Sequence, residues 1–280
     1  MILTTSAVDD REIARLKNLV QAPVEELTPF ERLDRISYLE VTSAEEVLLN
    51  FVEQYTLFYG RKGTGKTMMA VSIIKQLKDV FGIETVCDFQ LSSNFGVYTY
   101  IDIERFLDQL RMVNELTKGQ SEAIAKRAVD GMMEQGVNGQ GSLMTELDGK
   151  AVCFDEAYKY LDSRDSTTRL VKLFSHFISQ MRHFRVSMFM IAPHPDMLDK
   201  RARRQIDNIG ECYTDPEHFW DGNKRVYVPP SNRSTLAVVH NLSVDEKFEV
   251  EVNVAQGGEL YDTHVKTAFR SQLLNDAKED

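Results

Sequence analysis

Gly60-Arg61-Lys62-Gly63-Thr64-Gly65-Lys66-Thr67 decides the fold, because it satisfies the phosphate-loop pattern G-x-x-x-x-G-K-[ST] at every fixed position. Its flanks agree. Tyr55-Thr56-Leu57-Phe58-Tyr59, just ahead of it, is aromatic and β-branched, as a buried strand should be. Behind it, Met69, Ile73, Leu77 and Phe81 recur at helical spacing. Strand, glycine loop and helix start are what polyphosphate binding requires. Glycines keep Cβ atoms away from the backbone N–H groups, and the helix N-terminus adds positive potential. In that arrangement Lys66 reaches the β- and γ-phosphates, and the Thr67 hydroxyl holds Mg²⁺. The stretch implies a nucleoside triphosphate as ligand.

A second signature lies downstream. The apolar run Ala151-Val152-Cys153-Phe154 ends at Asp155-Glu156. A strand ending there delivers Asp155 to the Mg²⁺ shell and leaves Glu156 one step further on, where it can orient or deprotonate an attacking water. A third strand-like run, Val186 to Ile191, ends at Ala192-Pro193-His194-Pro195. Ligands of parallel α/β sheets lie outside the C-terminal strand ends, so His194 is expected to face the γ-phosphate, the alternative being a histidine held between two prolines.

Between and beyond these runs the elements alternate. Strands are expected at Ile83–Phe89 and Val97–Ile101, and helices at Asp102–Leu116, around Leu170–Met181 and at Asp196–Asn208. Residues 117–149 carry six glycines around one amphipathic patch, Ile124–Met133, and read as an insertion with a loop at Gln135–Ser142, either a lid or a plain excursion. Arg225–Val228, Thr235–Leu242 and Phe248–Val254 alternate as strands, Trp220-Asp221-Gly222-Asn223 marks a hairpin turn, and a short helix is expected near Thr263–Leu274. Residues 1–50 are a charged helical preface, in which Thr28-Pro29-Phe30-Glu31 has the form of a capping box with proline at the first helical position. The preface either packs on the main domain or contacts another subunit.

Composition excludes several classes. No apolar run approaches the ~20 residues of a membrane span, and the N-terminus lacks the order of a secretory signal. Cys87, Cys153 and Cys212 show no metal spacing and are expected as buried thiols in a reducing cytosol. A net charge of −10 argues against a protein that coats nucleic acid. Yet Arg169 to Arg204 holds eight bases against two acids, and Lys200, Arg201, Arg203 and Arg204 crowd its end. That run is either a solvated face or a DNA-phosphate contact.

Among nucleotide enzymes, no Asn-Lys-x-Asp guanine reader is present, and the glutamate beside Asp155 suits water activation better than transfer to a small substrate. The chain resembles the HerA/FtsK superfamily, especially viral DNA-packaging and zonular-occludens-toxin-like (Zot-like) ATPases. The resemblance is carried specifically by Gly60–Thr67 and by Phe154-Asp155-Glu156-Ala157-Tyr158 running to Asp162-Ser163-Arg164, and loosely by Val86–Phe95 with Ser93-Asn94. Ser179-Gln180-Met181-Arg182-His183 and Glu259-Leu260-Tyr261-Asp262-Thr263 add looser matches. It implies a RecA-like P-loop NTPase, an α/β domain with a central mostly parallel sheet, a helical preface and a β-rich C-terminal extension. The expected bounds are 1–50 for the preface, 51–265 for the ATPase domain and 266–280 for a terminal helix and tail.

The resemblance further implies ATP and Mg²⁺, with Gly60, Arg61, Lys62, Gly63, Thr64, Gly65, Lys66 and Thr67 on the nucleotide, Asp155 on the metal and Glu156 as catalytic acid/base. Arg182 resembles the arginine that such ATPases place near a nucleotide, in the same subunit or a neighbour. His194 stands where the family usually has a polar sensor, often Gln. The implied partners are double-stranded DNA, a homo-oligomeric ring such as a hexamer, and a capsid or portal-vertex protein. The implied location is the host cytoplasm or the virion. Zot-like assembly proteins usually carry a membrane segment after this domain; none is seen here, which favours DNA packaging. A virion-assembly or conjugation-type ATPase acting on protein or single-stranded DNA, and a nucleotide-gated switch, are the alternatives.

Overall fold

A computed structural model describes residues 22–36, 43–101, 114–135, 147–165, 167–222 and 224–261, together with positions 108, 111 and 112. The expected helix at Thr263–Leu274, the tail, residues 1–21, most of Asp102–Leu116 and nearly all of the loop at Gln135–Ser142 lie outside the described residues.

The hydrophobic runs become parallel strands: β1 (Tyr55–Tyr59), β2 (Thr85–Cys87), β3 (Thr99–Tyr100), β4 (Ala151–Phe154), β5 (Ser187–Ala192) and β6 (Asn208–Thr214). Two further strands, β9 (Ser234–Asn241) and β10 (Glu246–Asn253), add antiparallel to β6, giving the order β10-β9-β6-β1-β5-β4-β2-β3. A separate hairpin, β7 (His218–Asp221) and β8 (Lys224–Tyr227), projects between β6 and β9 in sequence. Gly222, within the turn expected at Trp220–Asn223, lies between its two strands.

Each central strand is buried on both faces, which is why these runs are continuously apolar. Tyr55 and Leu57 of β1, Val152 and Phe154 of β4, and Met188 and Met190 of β5 face one core. Phe58, Cys153, Phe189 and Ile191, at the intervening positions, face the other. The first core is covered by α4 (Glu122–Gln135) and α5 (Arg169–Gln180), the second by α3 (Lys66–Phe81) with α1 (Pro29–Ile36) and α2 (Ser43–Leu49). Met69, Ile73, Leu77 and Phe81 of α3 are all buried, each worth about 1.5–3 kcal/mol in removed apolar surface.

The structure refines two sequence expectations and adds a strand that was not expected. The stretch 117–149 supplies α4, whose Ala125 and Val129 are fully buried in the first core, so this helix is part of the domain's outer layer. The expected helix Asp196–Asn208 shrinks to α6 (Lys200–Arg203). The buried Asp199 caps it, accepting from the Arg201 N–H at 2.9 Å and the Ser175 hydroxyl at 3.1 Å, and fixes its start. The chain then turns extended at Asn208 to form β6, a strand the hydrophobic pattern did not mark.

The described part of the preface, residues 22–36 and 43–50, packs on the domain. Thr28 and Glu31 form the capping box, with N–H donors at 2.9 and 3.3 Å, and Leu33 and Ile36 are buried against the α3 side. Arg185 ties it down further, donating to Asp34 and Glu53 at 2.7 Å each. All three cysteines are free and buried. Among the described residues no helix is long and apolar enough to cross a membrane.

Candidate active site

β1 and β4 end on the same rim of the sheet, separated by β5. From β1 the chain enters the glycine loop, whose Gly60 N–H donates to Pro193 O, beyond the end of β5, at 3.3 Å. The loop closes on itself through Thr64, whose N–H and hydroxyl donate to Arg61 O at 3.3 and 2.9 Å. α3 begins at Lys66, whose Nζ donates to Gly60 O at 2.9 Å and Arg61 O at 2.7 Å. Burial pushes the Lys66 ammonium below its ordinary 10.5, with Asp155 acting in the opposite sense.

Gly65 takes a left-handed backbone, φ +73°, and a Cβ there would stand within 2.8 Å of the Thr235 and Thr214 side chains. There the hydroxyls of Thr214, at the end of β6, and Thr235, near the start of β9, meet at 2.8 Å. The floor of the phosphate loop is therefore built by the C-terminal strands. Gly63, also left-handed at φ +83°, has open space where a Cβ would stand. That open cradle, lined by backbone and by Lys66, fits a phosphate group.

β4 delivers Asp155 to the rim. Its N–H donates to Asp88 Oδ1 at 2.9 Å, and Asp88, just past β2, donates its own N–H to Cys153 O at 3.2 Å. The Thr67 hydroxyl lies 3.5 Å from Asp155 Oδ2. These are two hard oxygen ligands at adjacent strand and helix ends, a donor set suited to Mg²⁺, which takes one or two protein oxygens and completes its shell with water and phosphate. Glu156 follows in a left-handed conformation, φ 54°, with its N–H on Asp155 Oδ1 at 2.8 Å and its carboxylate paired with Lys159. Left-handed backbone costs a non-glycine residue about 1–2 kcal/mol, and such strain concentrates at functional sites.

A cavity of about 390 Å³ gathers these groups: Lys62, Gly63, Lys66, Thr67, Asp155 and Glu156 line it, with Tyr158, Pro193 and Tyr261. The size is that of a small-molecule site. The glycine loop and the Asp155-Glu156 pair thus come together from 88 residues apart. Tyr261 stands edge-on to Phe89 at 5.5 Å, which brings the end of α7 (Val254–Leu260) to the same rim. Asp88, Lys159, Thr214 and Thr235 escaped sequence reasoning. Of these only Asp88 carried a signal, a carboxylate closing a buried strand.

The other expected site residues lie elsewhere. Pro193, and not His194, lines the cavity. His194 is 62% exposed; its Nδ1 accepts from the Asp196 N–H at 3.2 Å, and its ring stands edge-on to Tyr59. Arg182 sits at the opposite end of the sheet. Its guanidinium lies 4.4 Å from the centre of the Tyr55 ring and donates to Asp207 at 2.9 and 3.0 Å and to Gln205 O. Tyr55 opens β1, so at about 3.3 Å per residue Arg182 is some ~13 Å of strand away from the phosphate loop. A role at the nucleotide of its own subunit is excluded by that placement.

The basic run is largely neutralised. Lys172 pairs with Glu122, Arg182 with Asp207, Arg185 with Glu53 and Asp34, Arg201 with Asp199 and Arg203 with Asp196. Lys200 and Arg204 are exposed.

Comparison with known proteins bears on the fold and the family. No curated protein matches the chain. The N-terminal domain of zonular occludens toxin from Neisseria meningitidis is similar at 15% identity and TM-score 0.44, over 75% of this chain and 100% of that one. The genome packaging NTPase B204 from Sulfolobus turreted icosahedral virus 2, in complex with AMPPCP, is similar at 11% identity and TM-score 0.42, over 70% and 96%. The pCW3 conjugation coupling protein TcpA is similar at 13% identity and TM-score 0.32, over 57% and 49%. Residues 56–212, from β1 through the glycine loop and Asp155-Glu156 into β6, match the ATPase family associated with various cellular activities (AAA). With more than half its length in that match and the phosphate loop at its head, the chain belongs to the AAA family of P-loop ATPases.

Proposed function

We propose that this chain is a Mg²⁺-dependent ATPase motor that moves double-stranded DNA, working as a ring of identical subunits to package a viral genome into a capsid. The observation that carries the hydrolytic part is the convergence of Lys66, Thr67, Asp155 and Glu156 on one cavity. Backbone N–H groups of the loop and the start of α3 bind the phosphates, and Lys66 adds the cation. Thr67 and Asp155 are the residues that would hold Mg²⁺, which neutralises phosphate charge when bound. Glu156 takes the proton of the water that attacks the terminal phosphoryl group. To do so its carboxylate leaves Lys159, whose pairing holds it at the cavity wall.

Support for DNA as the load comes from the motif resemblance and from the exposed Lys200 and Arg204, which one helical turn places on a common side. Because the other bases near them are paired, the electrostatic footprint of α6 is two charges. The ring and the capsid partner follow from the same resemblance. The test is the rate of ATP hydrolysis with Mg²⁺ or with a chelator, each with and without linear duplex DNA, alongside the mass of the protein with a non-hydrolysable ATP analogue. Hydrolysis lost with the chelator, raised by duplex and accompanied by a ring-sized mass is expected. A Mg²⁺-dependent rate indifferent to duplex would overturn the motor and leave the ATPase.

A further inference from the structure

We infer that one face of the β7–β8 hairpin binds the unpaired bases of a single-stranded nucleic acid. Directly opposed residues of an antiparallel pair share a face, and the pairs His218–Tyr227 and Trp220–Arg225 alternate with Phe219–Val226 and Asp221–Lys224. One face of the ribbon therefore carries two aromatic rings, an imidazole and a guanidinium, and no carboxylate. Asp221 lies on the other face opposite Lys224, and Glu217 reaches towards Arg233 at 3.6 Å. In a chain of net charge −10, this is a local surface without negative charge.

The rings are presented outward. Trp220 is 71% exposed and Tyr227 55% exposed, although large aromatics are usually covered. The face is also ordered internally: the His218 and Tyr227 rings pack edge to face at 5.5 Å, and Arg225 donates to His218 Nδ1 at 3.2 Å. Aromatic rings and arginine planes stack on bases of any sequence, and the guanidinium adds attraction to the backbone phosphates. Bases inside a duplex have no free faces, so the occupant is unpaired nucleotides.

The root of the hairpin gives this contact a connection. β6 leads into it from Thr214, and the return strand β9 begins at Ser234, the two ends clasped by Asp215 N–H to Ser234 O at 3.0 Å and Ser234 N–H to Asp215 Oδ2 at 2.8 Å. Thr214 and Thr235 are the residues packed under Gly65 of the phosphate loop. The nucleic-acid face is thus anchored directly beside the nucleotide loop. The inference rests on the reading that the chain engages nucleic acid, and adds a single-strand contact on the hairpin distinct from the duplex contact read at Lys200 and Arg204.

Trp220 is the chain's single tryptophan, so tryptophan fluorescence reports on the hairpin alone. The experiment titrates the full chain with oligothymidylate, a blunt duplex of equal length and anionic phosphatidylserine vesicles, reading tryptophan emission and, in parallel, anisotropy of labelled oligonucleotide. Quenching by oligothymidylate but not by blunt duplex is expected. Trp220→Ala, Tyr227→Ala and Arg225→Ala should each weaken oligothymidylate binding, the two aromatic losses by roughly 5- to 150-fold, with unchanged thermal unfolding; Trp220→Phe should retain most of it. Oligonucleotide or duplex binding by anisotropy with no change in tryptophan emission would overturn the hairpin assignment while leaving DNA engagement intact. Equal quenching by blunt duplex would overturn the requirement for unpaired bases. A vesicle response without an oligonucleotide response would assign the face to a membrane surface instead. Binding of no nucleic acid by either readout would remove the underlying reading as well.

Discussion

The contact between the phosphate loop and the C-terminal strands can be tested with two alanines. Gly63 and Gly65 both hold left-handed backbone, φ +83° and +73°, so alanine at either carries a conformational cost of about 1–2 kcal/mol. They differ in what the new methyl meets. At Gly63 it meets nothing within 4 Å. At Gly65 it would lie 2.5 Å from Thr235 Oγ1, 2.7 Å from Thr235 Cγ2 and 2.8 Å from Thr214 Oγ1, all closer than real contacts allow. Thr235 is fully buried and cannot swing away, so overpacking adds about 1–3 kcal/mol, and Gly65→Ala should cost about 2–5 kcal/mol in total. Thr235→Ala removes the two nearest atoms. Alone it should destabilise by about 1–3 kcal/mol, because it leaves the Thr214 hydroxyl without its buried partner. Combined with Gly65→Ala it should relieve the clash, so the double variant is more stable than the sum of the singles by about 1–3 kcal/mol. Urea unfolding followed by far-UV circular dichroism measures all four proteins. If Gly65→Ala cost no more than Gly63→Ala, or if the two substitutions were additive, β9 would not be the floor of the loop.

Other outcomes follow from single groups. Glu156→Gln should bind ATP yet lose about 10²–10⁴ in turnover, since the amide holds water but takes no proton; Lys66→Ala should lose binding and turnover together, both read by nucleotide titration and phosphate release. Arg182→Ala should lower stability by about 0.5–2 kcal/mol through the lost Tyr55 stack and Asp207 pair, with turnover per folded molecule unchanged; a turnover loss that a Glu156→Gln partner restores on mixing would instead give it a role in a neighbour's site. Burial opposes ionisation of Glu84, but its ion pairs with Lys150 and Arg32 outweigh that and hold the carboxyl below its ordinary 4.5. A carboxyl depressed on folding stabilises the protein above its unfolded value, and that contribution fades as pH falls through the lower folded value. Wild type and Glu84→Gln should therefore differ in unfolding midpoint at neutral pH and converge well below pH ~4.5.

What the sequence shows and hides divides along physical lines. The glycine loop and Asp155-Glu156 are visible because both need fixed residue types at strand ends, and β1, β4 and β5 are visible because two-sided burial makes them continuously apolar. β6 is hidden because its buried face is Asn208, Gly210 and Cys212, a weakly apolar set. Packing explains the choice: a Cβ at Gly210 would stand 2.7 Å from the Phe58 ring, and the Asn208 amide donates to Asn50 O at 2.6 Å. Of the two places the sequence leaves open for Arg182, the structure removes the nucleotide of its own subunit, because sequence order says nothing about which end of a sheet a residue reaches. The helix it follows runs antiparallel to the strands, so its C-terminal end lies at the end opposite the nucleotide. The charge excess from Arg169 to Arg204 likewise looked like a patch because its partners Asp34, Glu53, Glu122 and Asp207 come from outside it.

The C-terminal strands also change how the ATPase domain should be bounded. The family match ends at Cys212, inside β6, so Thr214, the hairpin and Thr235 all fall beyond it. Yet the loop's closest floor contact is made by Thr235, from β9, and β10 brings the chain to α7 and Tyr261 at the cavity. A domain cut at the family boundary would lose the packing under Gly65, one wall of the cavity and the antiparallel partner that covers the edge of β6. Burial of Ala237 and Val239 in the same core as Phe58 and Met69, with Thr235 also fully buried, makes β9 a structural member of the sheet. The strand that leads into the hairpin and the strand that leaves it supply the Thr214–Thr235 pair, which a Cβ at Gly65 would strike. The hairpin stands on that pair, and the glycine loop rests on it from the other side.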